Sequence, residues 1–222
     1  MLCRPTNSAL VAGKRAKKYF TPNYIHYLDR ARRKCRAHFF ILRKRKIMTI
    51  EAILDTLPDY AKDLRLNWSA LANATELTDN QKWGSFVAAA YGARSRQLLA
   101  AIESEAATHV SPEVITAAKG AAAIMGMNNI YYRFHHLSSN EKYATLPARL
   151  RMNIMRTHGS DHTDFELWSL VVSAINGCGK CVSSHEAVLL EKGISEELIL
   201  AAVRIAAVVN GTAAALDALQ TS

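Results

Sequence analysis

Residues 162–177, HTDFELWSLVVSAING, decide the fold, because they can be laid on residues 78–92, TDNQKWGSFVAAAYG. Thr78, Asp79, Trp83, Val87, Ala89 and Gly92 recur 85 residues later as Thr163, Asp164, Trp168, Val172, Ala174 and Gly177. Each stretch opens on a threonine with Gln81 or Glu166 three residues on, the capping-box spacing, and each closes on a glycine. Runs such as LVVSAI would suit a buried strand, but they sit in capped windows longer than ten residues, so helix is the expectation.

The pattern extends outward. SPEVITAAKGAAAIMG (111–126) has Ser111 at the N-cap, Pro112 at the first helical position and Glu113 in the first turn. SEELILAAVRIAAVVNG (195–211) starts in the same way, 84 residues later, with two acids where the helix dipole favours them. A helix over 178–191 ends at Lys192-Gly193. An all-α fold follows, built by duplication of a helical unit over about 76–126 and 161–211 within a domain of residues 48–222. Trp83 and Trp168 are expected in its core.

The net charge of +9 sits almost wholly in residues 1–47, which hold 14 Lys/Arg and the single acid Asp29. Residues 48–222 hold 14 Lys/Arg and 18 acids, so the folded part is mildly acidic. The basic leader fits a nucleic-acid or membrane-binding arm, an organellar presequence, or untranslated sequence ahead of a start at Met48. We take the last reading, with the leader disordered or outside the native protein, and expect no nucleic-acid partner. No secretory segment is visible and no run approaches the roughly 18 apolar residues of a membrane span, so a soluble protein is expected.

Chemistry concentrates in NGCGKCVSSHE (176–186), which holds half of the chain's four cysteines. On a helix, Cys178, Cys181 and His185 share one face, at i, i+3 and i+7. With the offset of 85, the first copy carries Ala93, Arg96 and Ala100 at these positions and Gln81 opposite Glu166, so packing alone does not require the cluster. A thiol of pKa near 8.5 is only about 3% ionised at neutral pH, and a helix N-terminus with a nearby imidazole raises that fraction. A redox dithiol is the leading reading. A zinc site would need a fourth ligand from His158 or His162, and two simply buried cysteines are the remaining alternative. Thioredoxin is set aside because no βαβ pattern surrounds the motif. Glu166 reads equally as a capping acid or as a partner of His185. His135 and His136 read as packing or surface residues, and Cys3 and Cys35 in the leader are assigned nothing.

With Glu166, Cys178, Cys181 and His185 in the order E-x11-C-x2-C-x3-H on a duplicated helical unit, residues 48–222 resemble the alkyl hydroperoxide reductase AhpD family, within the carboxymuconolactone decarboxylase-like fold. The resemblance implies a cytoplasmic, homotrimeric antioxidant enzyme without bound cofactor or metal. It would reduce hydroperoxides and carry electrons from the dihydrolipoyl group of a lipoyl-bearing protein to the peroxiredoxin AhpC. It also implies that Cys181 attacks and becomes a sulfenic acid. Cys178 would donate a proton and close the Cys178–Cys181 disulfide, while His185 and Glu166 relay protons. Some members have histidine where this chain has Lys180, which keeps positive charge but exchanges protons poorly at neutral pH. A lyase on the same fold and a non-enzymatic redox sensor are the competing functions.

Overall fold

In the computed structural model, residues 48–219 are described, and every regular element among them is helical. The expectation for the basic leader, residues 1–47, lies outside the described residues. In chain order the α-helices are α1 (Ile50–Leu54), α2 (Lys62–Ala72), α3 (Asp79–Gly92), α4 (Arg96–Ala106), α5 (Pro112–Leu137), α6 (Lys142–Thr145), α7 (Ile154–Thr157), α8 (His162–Ile175), α9 (Gly179–Glu191) and α10 (Glu196–Leu219). A 3₁₀ turn, Asp59–Ala61, leads into α2.

Local chemistry sets most of these boundaries. At the start of α3 the Thr78 hydroxyl accepts from the Gln81 N–H at 3.2 Å, and the Gln81 side chain accepts from the Thr78 N–H at 3.2 Å, completing the expected capping box. Ser111 holds the N-cap position of α5 with Pro112 at the first helical position, as expected, although its side chain makes no capping hydrogen bond. Two helices outrun the glycines that were expected to stop them. α5 continues past Gly126 to Leu137, and α10 passes Gly211 to Leu219. Gly211 is there for space, since a Cβ would come 3.0 Å from the Leu64 Cδ2 of α2. The extended α10 is also long and apolar enough to cross a membrane by length and composition, which exceeds what the sequence reading allowed. Ile205, Val209 and Leu216 bury its apolar face in the core, against α3 and α8.

The duplication is visible in the packing. α3 lies against α4 and α5 of its own unit and α10 of the other, while α8 lies against α9 and α10 of its own unit and α5 of the other. The two central helices also meet each other, at a point where Gly84 has no Cβ because the Trp168 indole occupies that space. Trp83 and Trp168 are both buried, as expected, alongside Phe86 and Phe165. Each fully buried side chain of phenylalanine size contributes roughly 1.5–3 kcal/mol by leaving water.

The register of the duplication differs from the sequence reading. The helices start at Asp79 and His162 and are followed by C-caps at Ala93 and Asn176, an offset of 83 rather than 85. Thr163 is not a cap. Asp161 is, its carboxylate accepting from the N–H groups of Thr163 at 2.8 Å and Asp164 at 3.0 Å. Nor are the closing glycines equivalent. Gly92 packs against α8, where a Cβ would come 3.3 Å from Val172 Cγ1, whereas Gly177 is a turn residue with φ +65°. The true counterpart of Gly177 is Arg94, a non-glycine residue at φ +60°. The later helices, α5 and α10, keep the expected offset of 84, from Pro112 to Glu196.

Candidate active site

α8 ends in a Schellman turn. The Gly177 N–H donates to the Ala174 carbonyl at 3.1 Å and the Cys178 N–H to the Ser173 carbonyl at 3.1 Å, with Gly177 supplying the left-handed conformation. The turn is so short that Cys178 is at once the N-cap of α9, and Cys181 falls in the first turn of that helix. Their Cα atoms are 5.3 Å apart and the two sulfurs form a disulfide. Both cysteines are buried, Cys178 completely and Cys181 with 6% exposure.

One turn further along α9, His185 is also buried. Its Nδ1 lies 2.6 Å from Glu166 Oε2, reaching across from α8. With a carboxylate oxygen as acceptor, Nδ1 is the donor of this pair, which leaves Nε2 on the far side of the ring. That Nε2 lies 3.3 Å from the Met125 sulfur of α5. Because Asp161 begins α8 two residues before Thr163, Glu166 lies too deep in the helix to cap it. Its carboxylate turns instead to the histidine.

The corrected register sharpens the internal comparison. The first-copy counterparts of Cys178, Cys181, His185 and Glu166 are Ser95, Leu98, Ile102 and Trp83, not Ala93, Arg96, Ala100 and Gln81. Ser95 caps α4 through the Leu98 N–H at 3.4 Å, and Leu98 and Ile102 are fully buried. Ordinary core residues fill these places in one copy, and sulfur, imidazole and carboxylate fill them in the other.

The remaining candidates lie apart from the dithiol. His158 and His162 contact each other, Nε2 to Nδ1 at 3.0 Å, and the His158 ring stacks on Phe165 at 4.1 Å. Burial, followed by the neighbouring His162, holds the His158 pKa below its ordinary value. Neither meets the cysteines, and among the described residues no group of three His, Cys, Asp or Glu side chains is placed to hold a metal ion. His135 joins an aromatic cluster with Tyr131, Tyr132 and Phe134, and His136 is exposed. Lys180 is exposed, its ammonium 6.0 Å from the centre of the Tyr132 ring, at the outer limit of a cation–π contact. A cleft of about 520 Å³ opens between the starts of α3 and α8, lined in part by Gln81, Asp161, Asp164 and Lys192. It contains none of the dithiol residues.

Sequence reasoning missed the contribution of α5. On either side of Gly126, this helix sets Met125, Asn129 and Arg133 against the site. Their spacing of four was a usable signal, and it was hidden by ending the helix at the glycine.

Against known proteins, a family model described as the carboxymuconolactone decarboxylase family matches residues 141–221. The chain is 60% identical over 172 residues to a protein of Acidobacterium capsulatum named alkyl hydroperoxide reductase AhpD, covering 77% of this chain and 94% of that protein. Proteins of the same name from Solibacter usitatus and Maricaulis maris are 56% and 59% identical, again over 77% of this chain and over 96% and 99% of theirs.

Proposed function

Since this chain belongs to the alkyl hydroperoxide reductase AhpD family and is a redox-active enzyme of that type, we propose that it reduces hydroperoxides with the Cys178–Cys181 dithiol. We propose further that it passes electrons from a dihydrolipoyl-bearing protein to the peroxiredoxin AhpC. The observation that carries the reading is a buried sulfur pair at the start of α9 with His185, paired to Glu166, one turn further along the same helix, all in a single copy of a duplicated fold.

In the oxidative half, the Cys181 thiolate attacks the distal peroxide oxygen, forming an S–O bond and breaking the O–O bond. The departing alkoxide takes a proton supplied through His185, whose imidazolium Glu166 stabilises. The Cys178 thiol then attacks the sulfenic sulfur, water leaves, and the disulfide closes before further oxidation. In the reductive half, one thiolate of the dihydrolipoyl group forms a mixed disulfide and its second thiol releases the reduced pair, leaving the donor as its own disulfide. The helix N-terminus at Cys178 and the exposed Lys180 favour the thiolate forms at each step. The reading carries with it a homotrimer at work in the reducing cytoplasm, where a disulfide of this kind is catalytic rather than structural.

A coupled assay with purified protein, dihydrolipoamide and an organic hydroperoxide tests it. Peroxide consumption is expected for the parent and not for Cys181→Ser or Cys178→Ser. Equal rates for parent and variants would remove the proposal and favour a lyase, which has no use for two thiols.

A further inference from the structure

Met125, Asn129 and Arg133 lie at i, i+4 and i+8 of α5 and share the face turned toward the dithiol end of α8 and α9. Asn129 is almost wholly buried, and both ends of its amide are used. Its Nδ2 donates to the Ser173 hydroxyl at 2.9 Å and its Oδ1 accepts from the Asn176 side chain at 2.9 Å. Arg133 donates through Nη1 to the Asn176 main-chain carbonyl. Ser173, in the last turn of α8, and Asn176, its C-cap, lead into the turn that carries Cys178, and the Ser173 carbonyl holds the Cys178 N–H itself. α5 therefore grips the turn from side chain and main chain alike.

The duplication again supplies the comparison. At the constant offset of 84, the places of Met125, Asn129 and Arg133 on α10 are held by Val209, Ala213 and Asp217. Val209 and Ala213 are buried and apolar, and Asp217 is exposed. A buried asparagine is tolerated only when its hydrogen bonds are met, so its presence in one copy and not the other marks a local task rather than a need of the fold.

We propose that Asn129 and Arg133 are positioning residues for the dithiol. They hold the α8–α9 turn so that, once the pair is reduced, Cys178 stays within bonding reach of Cys181. The inference rests on the redox reading of that pair. Loosening the turn lowers the effective concentration of one thiol at the other, and the disulfide becomes easier to reduce.

The test equilibrates full-length protein with dithiothreitol buffers, traps the thiols, and measures the dithiol–disulfide equilibrium constant alongside the unfolding midpoint. Asn129→Leu and Arg133→Met are each expected to shift the constant about tenfold toward the dithiol, about 30 mV for a two-electron couple. Arg133→Lys, which keeps one donor, should recover most of the shift. Leu98→Ala, a core cavity in the copy without sulfur, should lower the unfolding midpoint yet move the constant less than about twofold. Arg133 is only half-buried, so its variants remain informative even if Asn129→Leu does not fold. Constants within about twofold of the parent for Arg133→Met and any folded Asn129→Leu would overturn the inference, as would a shift as large in Leu98→Ala. A parent that forms no disulfide at all brings down the functional reading, and this inference with it.

Discussion

Replacing Gly177 by alanine isolates what the turn before the dithiol costs. Gly177 sits at φ +65°, and a Cβ built on it meets nothing within 4 Å. The penalty is therefore purely conformational, about 1–2 kcal/mol for an L-residue in the left-handed region. Against it stands the lower entropy of the unfolded alanine chain, a gain of roughly 0.4–1 kcal/mol. Gly177→Ala should then destabilise by about 0–1.6 kcal/mol, lowering the melting temperature by up to a few degrees for a domain of this size. Urea unfolding reads this directly, with the midpoint shifted and the slope unchanged. The Schellman bonds do not involve the added methyl, so the Cys178–Cys181 disulfide should still form. A clear stabilisation would mean that the turn is not left-handed. A loss above about 3 kcal/mol would mean that the space around Gly177 is filled by something other than what the fold describes.

The converse change, Arg94→Gly, relieves the same strain in the first copy at φ +60° and should leave stability unchanged or raise it by up to about 1 kcal/mol, again by urea unfolding. Glu166→Gln keeps size and one hydrogen bond to His185 but removes the charge that stabilises an imidazolium. Peroxide turnover should fall by about 10²-fold with little change in melting temperature, and an unchanged rate would take Glu166 out of the relay. His158 has a folded pKa below its ordinary 6.5 because of burial, then because of His162. The folded state therefore binds fewer protons than the unfolded one, and the stability His158 contributes above about pH 6.5 is lost as pH falls through its lowered value. His158→Phe, which keeps a ring to stack on Phe165, should flatten that part of the melting profile, and an unchanged slope below pH 6.5 would assign the effect elsewhere.

How much of this was legible in the sequence depends on what each residue competes with. Thr78 and Gln81 formed the capping box that their spacing predicts, and that helix was readable to the residue. Thr163 and Glu166 offered the same spacing, but Asp161 stands two residues earlier with a carboxylate, takes the N-terminal amides, and starts the helix there. This one competition shifted the register of the central helices, freed Glu166 for His185, and moved the counterparts of Cys178, Cys181 and His185 from Ala93, Arg96 and Ala100 to Ser95, Leu98 and Ile102. Gly177 resembled Gly92 by identity alone. Its equivalent is Arg94, whose positive φ no propensity scale anticipates. Gly126 is exposed to no crowding at all and costs only about 1 kcal/mol within a helix, which the packing of α5 against α3, α8 and α9 outweighs. The cysteine and histidine positions were legible because their spacing along one helix is local, whereas Glu166 stayed open between cap and histidine partner because its contact is made from the neighbouring helix. The grip of α5 was not, because Asn129 and Arg133 acquire meaning only from what lies across the core.

On the proposed function, Cys178 and Cys181 cycle between dithiol and disulfide as they carry two electrons. Thiol titration of the purified protein tests it most directly: reduced with dihydrolipoamide, freed of reductant, and exposed to measured amounts of an organic hydroperoxide. With Cys3 and Cys35 replaced by serine, the account predicts two thiols lost per hydroperoxide consumed, a Cys178–Cys181 linkage on peptide mapping, and full recovery of both thiols with fresh dihydrolipoamide. Thiols that persist while peroxide disappears, or a sulfur lost beyond recovery at the first turnover, would contradict it.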